Sequence, residues 1–242
     1  MSYSDKATLK QIQFYVTTKY SCGYINNREA QSIVATPYKR INDKSYDDLI
    51  TKGFRRNGQY IYKPYCQVCT ACIPIRLCVD QFIHSKSQKK VNGSLKNSLT
   101  IKILPLTFNK DHYALYVHYQ NNRHPTQDKS NTNVADYNDF LIKSHVTSKL
   151  IEFRKNGELK IVTIIDIVNN GISAVYTFFD CNENKYSYGT YSILWLLELC
   201  KKKQLDYLYL GYWIGKNQKM KYKTNFKPYE LFINDNWQKT RS

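Results

Sequence analysis

The strongest constraint on the fold is a pair of β-branched and aromatic runs, residues 161–168 and 172–179, separated by Asn169-Asn170-Gly171. Two strand-like runs joined by Asn-Gly predict an antiparallel hairpin, because these residues accept the positive φ of a tight turn. A turn at Ser187-Tyr188-Gly189-Thr190 leads into residues 191–203, where Ile193, Leu196, Leu197 and Cys200 recur on one helical face. Residues 206–213 read as another strand. Upstream, residues 100–104 alternate as a short strand, and 111–121 and 136–145 read as helices, the second with Asp136 as N-cap. The expected class is α/β (α+β), an order of elements that many folds share.

The cysteines divide the chain. Five of the seven fall in the first 95 residues, a loop-rich region that reads as a small domain needing a staple. The polar stretch 85–98 reads as the passage between residues 1–95 and the α/β unit, 96–242. Cys66, Cys69 and Cys72 have C-x2-C-x2-C spacing, and Cys22, beside Gly23, is the candidate fourth ligand of a soft metal, either zinc or an iron–sulfur cluster. The competing reading is a set of buried thiols acting as small hydrophobes. Cys78, Cys181 and Cys200 lie in apolar runs and read as core. No apolar run reaches the ~18 residues of a membrane span, and the start is polar, so the expected location is cytoplasmic, without membrane attachment.

The formal charge of +17 predicts a polyanionic partner, since Lys and Arg gain affinity by displacing counterions from phosphates. Between residues 49 and 110 the sole acid is Asp80, against 11 basic residues. A second acid-free stretch, 214–229, interleaves Lys216, Lys219, Lys221, Lys223 and Lys227 with Tyr222, Phe226 and Tyr229. Basic residues among aromatics suit a single-stranded RNA end. If extended, residues 219–223 would put Lys219, Lys221 and Lys223 on one face.

Longer motifs carry a resemblance. Cys22-Gly23-Tyr24, Gly53-Phe54-Arg55-Arg56-Asn57-Gly58, Tyr62-Lys63-Pro64 and Ala71-Cys72-Ile73-Pro74-Ile75-Arg76 occupy the first part, followed by Ser85-Lys86-Ser87-Gln88-Lys89-Lys90. Ser173-Ala174-Val175-Tyr176, Gly189-Thr190-Tyr191, Tyr207-Leu208-Tyr209-Leu210-Gly211-Tyr212-Trp213, Lys219-Met220-Lys221-Tyr222-Lys223 and Phe226-Lys227-Pro228 continue it. Over residues 20–237 the chain resembles the aspartate/glutamate leucyltransferases, the bacterial branch of the arginyl-tRNA–protein transferase family. The single thiol in the first motif and the triple C-x2-C-x2-C point to that branch. Two departures stand out: Lys86, Lys89 and Lys90 replace frequent arginines, and the family's usual glycine is missing after Arg123-His124.

The resemblance implies a cysteine-bearing N-terminal domain and a GCN5-related acyltransferase-like C-terminal domain. It implies transfer of leucine from leucyl-tRNA to proteins with N-terminal Asp or Glu, marking them for degradation by the N-degron pathway. Arginyl transfer from Arg-tRNA, a noncatalytic zinc-stapled RNA-binding protein, and a CoA-dependent acetyltransferase are the alternatives. The last is disfavoured because a pyrophosphate loop usually carries several glycines and only Gly189 is present.

No cofactor is required for the chemistry, because the ester is already activated and an α-amine has a reference pKa of ~7.7–8.0. Alignment and oxyanion stabilisation suffice. Arginine forks suit the acceptor carboxylate, so Arg55, Arg56 and Arg76 are its candidate readers, although Arg55 and Arg56 could equally face solvent or RNA phosphate. Lys86, Lys89, Lys90, Gly189, Thr190, Lys219, Lys221 and Lys223 are the tRNA-binding candidates. Tyr176, Tyr212 and Lys223 are the catalytic candidates, with Tyr209 and Trp213 nearby, and His124 is a further candidate for tRNA binding or proton transfer.

Overall fold

A computed structural model describes residues 12–123, 133–183 and 185–240. His124 and the Pro125-Thr126-Gln127-Asp128 departure lie outside the described residues. The strands are β1 (Gln13–Val16), β2 (Tyr20–Ser21), β3 (Glu29–Ala30), β4 (Ser32–Thr36), β5 (Arg55–Asn57), β6 (Tyr60–Pro64), β7 (Ile73–Cys78), β8 (Thr100–Pro105), β9 (Ser148–Lys155), β10 (Glu158–Val168), β11 (Gly171–Phe179), β12 (Tyr207–Trp213), β13 (Tyr229–Ile233) and β14 (Asn236–Lys239). The helices are α1 (Asp43–Thr51), α2 (Lys86–Leu95), α3 (Lys110–Arg123), α4 (Val134–Tyr137) and α5 (Tyr188–Lys202).

The predicted hairpin is present as β10–β11, turning at Asn169-Asn170, and it forms the centre of an eight-stranded mixed sheet ordered β14-β13-β7-β12-β11-β10-β9-β8. Helix α5 crosses over to β12, which runs parallel to β11 only from Gly171↔Tyr207 to Ser173↔Tyr209. Beyond that the two strands part. A bulge on each strand coincides with the parting. Val175 is the extra residue of β11, between the pairs Ile165↔Ala174 and Ile164↔Tyr176. On β12, Leu210 and Gly211 together oppose Ile75 of β7, and Gly211 takes φ 72°.

One face of this sheet is covered by α2 and α5, with Ile75, Leu77, Phe153, Ile161 and Leu208 in the shared core. The other face carries α1 and a four-stranded sheet ordered β1-β4-β6-β5, centred on Tyr46, Ala35 and Ile61, and beside them α3, packed through Tyr116.

Three local expectations change. The division expected at residue 95 runs through the large sheet, because β7 is hydrogen-bonded between β12 and β13. Its partners lie more than a hundred residues downstream, outside any local pattern. Asp136 is not an N-cap: Asn133 Oδ1 accepts from Asp136 N at 2.8 Å, and α4 passes into a π turn at Asn138–Ile142. Residues 219–223 are not extended. A 3-10 turn at Lys221–Asn225 leaves Lys219 and Lys221 exposed and turns Lys223 inward.

Candidate active site between two diverging strands

Strand β5 sets Arg55 opposite Tyr62 and Arg56 opposite Ile61, so the adjacent arginines point to opposite faces. Arg56 enters the core. Its Nε lies 2.9 Å from both oxygens of Asp166, Nη2 lies 2.8 Å from Oδ1, and Nη1 donates to Gly58 O at 3.0 Å. Asp166 also accepts from Ser148 Oγ at 2.6 Å and Tyr46 Oη at 3.2 Å. Arg76 is likewise engaged. Its Nε and Nη2 lie 2.8 and 2.7 Å from Glu230 Oε2, and its guanidinium carbon sits 3.5 Å from the Tyr207 ring centre and 4.3 Å from that of Trp237. Two of the three expected readers of an acceptor carboxylate, Arg56 and Arg76, are therefore matched by internal carboxylates, and their charge goes to fastening the fold.

Arg55 differs. Among the described residues no carboxylate pairs with it. Its Nη2 donates to Val175 O, the bulge carbonyl of β11, and its guanidinium packs on Gly211, where a Cβ would collide with Nη1. Arg55 thus occupies the opening between the parted strands. Burial opposes its charge, but the surrounding Tyr62, Tyr24 and Tyr212 hold its pKa above the ordinary guanidinium value, so it remains a cation.

The catalytic candidates converge on the same opening. Lys223 is buried, and its Nζ donates to Tyr212 O at 2.6 Å. Burial, then the neighbouring Arg55 charge, drives its pKa well below the lysine value, towards a neutral amine. Tyr212 Oη shares its proton between Gly53 O at 3.0 Å and Tyr62 O at 3.2 Å, and burial raises its pKa far above the phenol value. Tyr176 Oη accepts from Gln120 Nε2 at 3.2 Å and is also raised by burial. Both tyrosines keep their protons at neutral pH, so they can hydrogen-bond and orient a substrate but not serve as bases. A cleft of about 240 Å³ adjoins the opening, lined by Gly53, Lys63, Pro64, Cys72 and Tyr212 among others.

The tRNA candidates separate into groups. Lys86, Lys89 and Lys90 are exposed on α2, which begins with a Ser85/Gln88 capping box. Gln88 Nε2 donates to Asn225 O at 3.0 Å, fixing α2 beside the turn that carries exposed Lys221. Lys219 reaches Arg123 O at 3.2 Å. Gly189 and Thr190 lie in the first turn of α5, where a Cβ on Gly189 would meet the Phe179 ring at 3.2 Å, so ring packing accounts for the glycine. Asp180 and Glu183, each 2.8 Å from Lys160 Nζ, stand close to this helix start as members of an ion-paired cluster.

The N-terminal thiols share one neighbourhood. Burial first, then Cys22, Cys66 and Cys69, pushes the Cys72 thiol up to about 12. The donor set is chemically that of a soft metal, although among the described residues no three His, Cys, Asp or Glu side chains stand positioned to hold an ion together. Cys78 and Cys200 are buried, as expected, while Cys181 is half-buried. Sequence reasoning missed Asp166, Glu230, Tyr24 and Tyr62. Asp166 had a signal: an acid inside the apolar run Ile164-Ile165-Asp166-Ile167-Val168 needs a buried partner.

Comparisons with known proteins agree with this architecture. The profile described as "Arginine-tRNA-protein transferase, N terminus" matches residues 20–90, and that described as "Arginine-tRNA-protein transferase, C terminus" matches residues 111–233. An aspartate/glutamate leucyltransferase of Methylobacillus flagellatus is 47% identical over 237 residues, covering 98% of this chain and 95% of its own. That of Chromobacterium violaceum is 42% identical over 240 residues, covering 98% of each chain. The structure of L-PGS from Bacillus licheniformis shares the fold alone, with a TM-score of 0.50 and 13% identity over 71% of this chain and 61% of that one. The chain belongs to the arginyl-tRNA–protein transferase family, in the branch of the aspartate/glutamate leucyltransferases.

Proposed function

We propose that this chain transfers leucine from leucyl-tRNA to the α-amine of proteins beginning with Asp or Glu, marking them for degradation by the N-degron pathway. The observation that carries the reading is Arg55, a retained cation with no carboxylate partner among the described residues, held in the opening between β11 and β12. An N-terminal Asp or Glu brings the missing carboxylate. Its neutral α-amine attacks the ester carbonyl, a C–N bond forms, the C–O bond to the terminal ribose breaks, and the amine proton passes to the leaving ribose oxygen. Lys223 is the group suited to relay that proton. Lys86, Lys89, Lys90 and Lys221 form the exposed basic surface for the tRNA phosphates. Because Arg55 caps the Val175 carbonyl, the edge of β11 is closed to a strand-like pantetheine arm, which favours an RNA-borne donor over CoA.

Labelled leucyl-tRNA incubated with peptides beginning with Asp, Glu or Ala tests the reading. Labelling of the Asp and Glu peptides alone is expected. Equal labelling of the Ala peptide, or of none, contradicts it, and labelling with arginyl-tRNA in place of leucyl-tRNA selects the arginyl alternative. Cys22, Cys66, Cys69 and Cys72 would hold zinc or an iron–sulfur cluster, stapling the loops beside Tyr24 and Tyr62. Metal analysis of protein purified without oxygen should find zinc or iron, and a metal-free active preparation contradicts this part.

A further inference from the structure

The four-stranded sheet has one covered face and one open one. Directly opposed residues in an antiparallel ladder share a face. The pairings Tyr15↔Val34, Val34↔Tyr62 and Arg55↔Tyr62 therefore line up Tyr15, Val34, Tyr62 and Arg55 in a single row across the sheet. The opposite face is buried against α1 and β10 at Ala35, Ile61 and Arg56, and only its edge residues Phe14 and Val16 are exposed. The row is graded: Tyr15 is 57% exposed at the sheet edge, Val34 and Tyr62 are half-buried, and Arg55 stands in the opening between β11 and β12. In the next row, Tyr60 is 53% exposed and Gln13, Thr36 and Asn57 bring no charge.

We propose that this row is the subsite for residues two to four of the acceptor protein, an extended chain that leaves the opening across Tyr62, Val34 and Tyr15. The proposal rests on the reading of Arg55 as the holder of the first residue's carboxylate. Charge selects the occupant. Arg55 is the one basic residue in the two rows, whereas the lysines of α2 lie over the opposite face of the large sheet. A polyanion is drawn to the lysines, and a neutral peptide fits the tyrosine row. Length agrees as well: strands spaced ~4.8 Å apart put about 14 Å between Arg55 and Tyr15, and a peptide rising ~3.3 Å per residue runs about 10 Å from residue one to residue four, leaving the rest to the side chains at either end. The exposed rings supply apolar contact with polar tips at small entropic cost.

Two peptides beginning with Glu, one continuing Leu-Val-Tyr and the other Gly-Ser-Gly, test this by their ratio of kcat/KM. The native chain should favour the apolar peptide about tenfold. Tyr15→Ser and Val34→Thr, each at an exposed or half-buried sheet position, should bring the ratio towards one. A ratio near one in the native chain, an unchanged ratio in both variants, or a variant defect confined to the KM for leucyl-tRNA overturns the proposal. The last outcome would assign the row to RNA. Matching peptides beginning with Gln keep the premise separate: loss of discrimination between Glu and Gln reports on Arg55, whatever residues two to four do.

Discussion

Arg55 and Arg56 are neighbours on one short strand, yet the structure uses them in opposite ways. Arg56 points into the junction between the two sheets, where Asp166 matches its charge and Ser148, Tyr46 and two carbonyls complete the network. Arg55 points into the opening between β11 and β12 with one backbone carbonyl and a ring of tyrosines. A buried guanidinium with its own carboxylate is a fastener; Arg55, with none among the described residues, is the one we propose for a carboxylate from elsewhere. The same logic separates Arg76, paired to Glu230 and sandwiched by Tyr207 and Trp237, from the site.

This contrast can be broken from either side. The largest effect should come from Asp166→Asn, which leaves Arg56 buried and unmatched and should cost about 3–5 kcal/mol in denaturant unfolding. Arg55→Met should leave unfolding close to the native value but lower kcat/KM for Asp and Glu peptides about 10²–10³-fold, as expected for losing a charge-assisted contact in a desolvated site. Gly211→Ala places a methyl against the Arg55 guanidinium at φ 72°; steady-state kinetics should show a raised acceptor KM, with about 1–2 kcal/mol lost in stability.

In stability, Lys223→Met gives the smallest and most pH-dependent change. The folded-state pKa of Lys223 is depressed well below the ordinary lysine value, so the unfolded chain binds more protons between the two values, and native stability rises with pH across that window. The methionine variant lacks this rise. Its stability relative to the native chain should therefore be greatest near neutral pH and shrink as pH approaches 10, read from unfolding curves at a series of pH values.

Much of the α/β half was legible in the sequence, because its signals are local: the Asn-Gly turn, the periodicity of α5 and the alternation of β8. The site was only partly legible. Alternation says that Arg55 and Arg56 face opposite ways, but not which way is inward, since that depends on Asp166, 110 residues away. Strand β7 looked like part of a small N-terminal unit because Ile73–Cys78 carries no mark of its pairing with β12 and β13. Lys223 reads in the sequence both as one of three RNA-facing lysines and as a catalytic candidate, and its inward turn under Tyr212 depends on the 3-10 turn at Lys221–Asn225.

Arg55 is the residue we propose as reader of the acceptor's carboxylate. The direct measurement is the ratio of kcat/KM for peptides differing only in an N-terminal Glu or Gln, in the native chain and in Arg55→Gln. A strong native preference for Glu that falls to near unity in Arg55→Gln is the predicted result. A preference for Glu that survives the substitution at full strength would contradict the account and place the carboxylate reader elsewhere.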